Sequence, residues 1–139
     1  MTDLQIRTDR DEVRDFVTRM GHFLDGLGGD PTEIYDRDVV VRSPRGEFRG
    51  YDEALAFITR ERPTGEQTQH FHSDVLVDVQ GDRATVTANQ LVEFFQPRQV
   101  PHRTSGLRLT YTLVRRPSGW RLLEAEVELA WIVGALPTT

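Results

Sequence analysis

Residues 74–88 read DVLVDVQGDRATVTA, and this stretch decides the fold. Val75, Val77 and Val79 alternate with Asp74, Leu76 and Asp78. Gln80-Gly81-Asp82 then reverses the chain, and Ala84, Val86 and Ala88 alternate with Thr85 and Thr87. Period-two alternation on both sides of a glycine turn predicts an antiparallel hairpin with one buried face. The pattern continues downstream. Leu107, Leu109, Tyr111 and Leu113 form a third segment and Pro117-Ser118-Gly119 a turn; Trp120 to Trp131 form a fourth, with Leu123, Ala125, Val127 and Leu129 on one face. Four such segments predict a meander, with Gln96 to Thr104 as its one long connection.

Upstream the period changes. From Asp11 to Asp25 the apolar residues Val13, Phe16, Val17, Met20, Phe23 and Leu24 recur at steps of three and four, which predicts an amphipathic helix. Gly26-Leu27-Gly28-Gly29 ends it, and Asp30-Pro31 opens a second short helix running to about Tyr35. Val39 to Val41 read as a strand, Gly46 to Gly50 as a short hairpin return, and Tyr51 to Arg60 as a helix. Helices followed by a long antiparallel sheet predict one α+β domain over residues 1–139, with the helices against one face of a sheet that curls into a cone around an internal pocket.

The composition removes several chemistries. With no cysteine there are no disulfides, thiolate nucleophiles or zinc-thiolate sites. All 17 basic residues are arginine, so an internal aldimine to lysine is excluded too. A net charge of -5 argues against a phosphate-tracking surface, so no nucleic-acid partner is expected. The first 16 residues lack a signal-like apolar stretch and no run of 18 apolar residues occurs, so the expectation is a cytoplasmic protein without a membrane partner.

The order of elements, with the phrases Gly50-Tyr51-Asp52-Glu53-Ala54, Thr68-Gln69-His70-Phe71, Val77 to Ala84 and Gly119-Trp120-Arg121-Leu122, resembles the nuclear transport factor 2-like (cystatin-like) superfamily, nearest its SnoaL-like branch. Within it the likeness is to the scytalone dehydratase and dehydrochlorinase group, enzymes that remove a proton with a histidine oriented by a helix-borne aspartate. The resemblance implies catalytic roles for His70 and Asp25, no cofactor and a homodimer. It implies a small hydrophobic ligand, with polyketide and steroid skeletons among the candidates, and elimination, isomerisation or ring closure as the chemistry. The chain also departs from that group: Val41 stands where a tyrosine is called for, and Leu107 and Leu109 where serine and asparagine are.

Independently of any family, histidine titrates near neutrality and accepts a proton without heavy tuning. The competing reading makes His70 an ordinary strand histidine satisfied by a neighbour, and the whole chain a non-catalytic ligand-binding or dimerisation module. Phe16, Met20, Phe23, Phe57, Phe94, Tyr111 and Trp131 are candidates to line a pocket, against the alternative that aromatics at these spacings are core. His72 and Asp74 extend His70 into a His-x-His-x-Asp array, but the further ligands such a metal site needs are not found, so no metal is assigned. Glu124, Glu126 and Glu128 read as a solvated or intersubunit face, and His22 and His102 as surface or rim residues.

Overall fold

The computed structural model describes residues 2–60 and 62–134. Helix α1 runs Asp3–Leu24, α2 Pro31–Ile34 and α3 Tyr51–Ile58; the strands are β1 Tyr35–Ser43, β2 Gly46–Arg49, β3 Gln67–Gln80, β4 Arg83–Phe95, β5 Arg103–Arg116 and β6 Gly119–Gly134. The six strands form one curved, unclosed sheet in the order β2-β1-β6-β5-β4-β3. The four long strands make the expected meander, while β1 lies parallel to β6. That parallel pairing joins the two halves of the chain and has no signature in local sequence.

Helix α1 begins eight residues before the periodic stretch. The Thr2 side chain accepts from the Gln5 backbone N–H at 3.1 Å, and Asp9 on the added turns is fully buried against Arg115 of β5 at 2.7 Å. Those turns carry an ion pair instead of an apolar stripe, so hydrophobic period passes over them. Val13, Phe16, Val17 and Met20 of α1 pack into a core with Val39, Val86, Leu109, Tyr111, Leu113 and Leu122 from the concave face of the sheet. Helix α3 covers β1 and β2. No described helix is long and apolar enough to cross a membrane.

Bulges set which side chains face inward. Ser73 pairs with Asn89 and Leu76 with Thr87, so Asp74 and Val75 together oppose one residue. Asp74 takes up the bulge at φ +54. Thr68, His70 and His72 face inward before it, and Val75, Val77 and Val79 after it. In β6 similar shifts fall at Leu123 and Ala130. Leu122 is consequently the core residue where alternation assigned Leu123; Ala125 and Val127 follow, and Ile132 takes the inward position near the end.

Candidate active site

Asp25 is the C-cap of α1, and Gly26 follows at φ +73, the left-handed conformation that lets a chain leave a helix abruptly. The Asp25 side chain is thereby turned toward the start of β3. Its Oδ1 lies 2.5 Å from His70 Nδ1 and accepts the Thr68 hydroxyl at 3.0 Å, while Oδ2 accepts the His70 backbone N–H at 2.9 Å. Both side chains are shielded, His70 exposing 10% and Asp25 6%. Burial raises the Asp25 pKa, but the hydrogen bonds from the His70 ring and backbone outweigh it, and the carboxyl is held below the usual carboxylate range. A carboxylate at Nδ1 places the ring proton there and leaves Nε2 with its lone pair, and Nε2 has no protein hydrogen-bond partner among the described residues.

His70 lines a cavity of about 400 Å³ between α1, α3 and the concave face of the sheet. Met20, Phe57, Phe94 and Tyr111 line it. Phe16, Phe23 and Trp131 stand off it. Phe16, one helical turn before Met20, is already inside the packed core. Phe23 is turned toward β1, where its ring meets Tyr35 edge to face at 5.9 Å. Trp131 would share a face with Leu129 in an unbroken strand; the bulge at Ala130 sends it to the convex side, where its ring lies across Gly106 and is 49% exposed.

The bulge at Asp74 also dismantles the His-x-His-x-Asp array. Asp74 points outward and accepts from Asn89 Nδ2 and Ser73 Oγ, each at 3.1 Å. Among the described residues no group of three histidine, aspartate or glutamate side chains is placed to hold a metal. His72 stays inside, 3.0 Å from Gln90 Nε2, and burial followed by the neighbouring His70 pushes its pKa down to about 4 against the pull of Asp25. His22 is exposed, and His102 Nε2 lies 2.8 Å from Glu66 Oε2. Glu124 is paired with Arg42, and both side chains remain partly exposed.

The cavity wall also holds the polar groups Gln90 and Arg103, together with Thr68, Tyr35 and the arginines 45, 60 and 62, which sequence patterning did not single out. Tyr35 is buried, its hydroxyl lacks a partner among the described residues, and burial, followed by Tyr111 and Tyr51, holds its pKa far above the ordinary phenol value. Gln90 and Arg103 occupy inward positions of strands whose apolar alternation is legible.

Solved structures of cystatin-like and nuclear transport factor 2-like proteins share this arrangement. A protein of Kribbella flavida superposes with a TM-score of 0.81 at 18% identity, covering 92% of this chain and 95% of that one. The hexachlorocyclohexane dehydrochlorinase LinA-type3 of Novosphingobium barchaimii gives 0.76 at 14% identity, covering 99% and 100%. A candidate scytalone dehydratase of Novosphingobium aromaticivorans gives 0.78 at 18% identity, covering 100% and 95%. At these identities the likeness shows the fold. Among curated proteins no sequence matches this one. The profile of the SnoaL-like domain matches residues 5–126, from the first turn of α1 into β6, and the chain belongs to that family.

Proposed function

We propose that this protein is a cofactor-independent lyase, isomerase or cyclase that takes a proton from carbon in a small, largely apolar molecule. The observation that carries this reading is the 2.5 Å contact between Asp25 and His70 Nδ1 at the wall of the cavity, with Nε2 left open. In the proposed step Nε2 accepts the C–H proton. The released electron pair moves into an adjacent carbonyl to form an enolate, or expels a leaving group from the neighbouring carbon. Asp25 stabilises the imidazolium, which returns its proton to another carbon in an isomerisation, to the alkoxide oxygen formed when the enolate carbon attacks a second carbonyl in a ring closure, or to a departing hydroxyl, lost as water, in a dehydration. The buried Tyr35 hydroxyl, held protonated, is the donor we assign to the developing enolate oxygen.

The test is turnover of a panel of hydroxylated aromatic ketones and epoxides, with deuterium uptake from heavy water followed by mass spectrometry for the ketones. His70→Ala is expected to lower the rate by about 10²–10⁴-fold, the usual contribution of a general base. Asp25→Asn should cost a similar factor. An amide that keeps the His70 backbone bond presents its NH2 to Nδ1, which forces the proton to Nε2 and removes the acceptor. Wild-type protein inert toward the whole panel would instead favour a non-catalytic binding module, and unchanged turnover in His70→Ala would remove His70 as the base.

The same reading includes a homodimer. Phe71, Leu91, Gly106 and Trp131 form one cross-strand row on the convex face, and Phe71 and Trp131 are exposed. Two residues along, Arg108 beside Glu128 offers a second copy, turned by half a turn, a cation for its anion and the reverse.

A further inference from the structure

Buried charges elsewhere in this chain are paired. Asp9 meets Arg115, and Asp36 takes Arg116 through two bonds at 2.7 and 3.1 Å. One end of the cavity breaks this pattern. Arg45 of the β1–β2 turn, Arg60 and Arg62 after α3, and Arg103 at the start of β5 all line it, in a protein whose net charge is -5.

Arg103 is the sharpest case. It is only 5% exposed and its guanidinium lies 3.7 Å over the Phe94 ring. Among the described residues that guanidinium has no ion pair and donates no hydrogen bond. Arg60 sits 4.3 Å over the Phe57 ring and gives one hydrogen bond, to the Phe57 carbonyl at 2.7 Å. The carboxylate acting on both is Glu66, which is bound to His102 and lies beyond ion-pair distance of all four arginines. Burial first, then repulsion from Arg45, Arg62 and Arg103, brings the Arg60 pKa down to about 10, as expected where cations gather without an anion. Burying a charge is costly unless it is paired and hydrogen-bonded. A planar guanidinium with free donors is matched by a carboxylate, which it binds in a fork.

We propose that the cavity binds a small organic acid: an apolar, flat body among Met20, Ile58, Val92 and Leu107, with its carboxylate held by Arg103 and Arg60. That this acid is also the substrate rests on the catalytic reading above; the anion site stands independently of it. The register fixes the layout. Thr68, Phe94 and Arg103 share one cross-strand row, and His70, Val92 and Ser105 the next inward row. At about 4.8 Å between strands, Arg103 lies about 10 Å across the sheet from the strand that carries His70. The carboxylate and the C–H that His70 meets therefore sit on one molecule but on different carbons, several bonds apart.

Isothermal titration of the full chain with benzoate, 2-naphthoate and octanoate, each beside its neutral amide, tests the proposal. At least one acid is expected to bind ten or more times tighter than its amide. Arg103→Met should abolish that preference, and His70→Ala should leave the ratio of acid to amide affinity within twofold. Should Arg103→Met not fold, Arg60→Met, at the half-exposed position, is expected to reduce the preference severalfold, and wild-type melting should rise with the acid but not with the amide. Equal affinity for acids and amides, no binding of any acid, or a preference that survives both arginine substitutions would overturn it. So would inorganic phosphate binding at least as tightly as the best acid. An acid preference in a protein without turnover leaves this site standing and removes the catalytic reading; turnover of neutral ketones without acid preference does the reverse.

Discussion

His72 sits two residues from the proposed base and behaves oppositely. Its Nε2 accepts from the Gln90 amide at 3.0 Å, its ring packs over Gly21 of α1, and its pKa falls to about 4. Unfolded, the same side chain titrates near 6.5. Between these values the unfolded chain holds a proton at His72 that the folded chain does not, so stability falls as pH drops through that window and is fully present above it. The charged groups acting on it are His70, which lowers its pKa, and Asp25, which raises it. Melting temperature is expected to decline from pH 7 to pH 5, and His72→Gln should flatten that decline; equal slopes in the two proteins would place the pH sensitivity elsewhere. His70 and His72 share a strand face, and nothing in their local sequence distinguishes the one bonded to a carboxylate from the one bonded to an amide. The difference comes from what α1 and β4 bring to each ring.

At the scale of the element, alternation places a strand but not its bulges. An unbroken β3 cannot bury both the histidines at even positions and the valines at odd ones, and the chain resolves this conflict at Asp74. Its positive φ suits aspartate and glycine but not a β-branched side chain. Asp74→Val is expected to destabilise the fold by about 1–2 kcal/mol and Asp74→Gly to be close to neutral, as read by urea denaturation. Equal losses in both would mean that the hydrogen bonds to Asn89 and Ser73 matter more than the backbone. The same logic explains Trp131. Unbroken alternation puts it on the face of Leu129, and the bulge at Ala130 turns it to the opposite one.

Across the whole molecule, the concave face of the sheet closes over α1 and leaves the cavity, while the convex face keeps its apolar row. If a second copy covers that row, light scattering should give twice the chain mass, and Phe71→Asp with Trp131→Asp should give the monomer with unchanged far-ultraviolet circular dichroism. A wild-type monomer at high concentration would remove the dimer. The sequence by itself determined the helices before the sheet, the four-strand meander and the histidine at the start of β3, because these rest on period, turn residues and residue chemistry within a few positions of one another. Only the tertiary structure decided that Asp25 meets His70, that Asp74 and Trp131 face outward, that β1 joins β6, and that four arginines from three segments gather at one end of the cavity. Each of these depends on chain segments tens of residues apart arriving at the same place, and no local pattern encodes where a distant segment will lie.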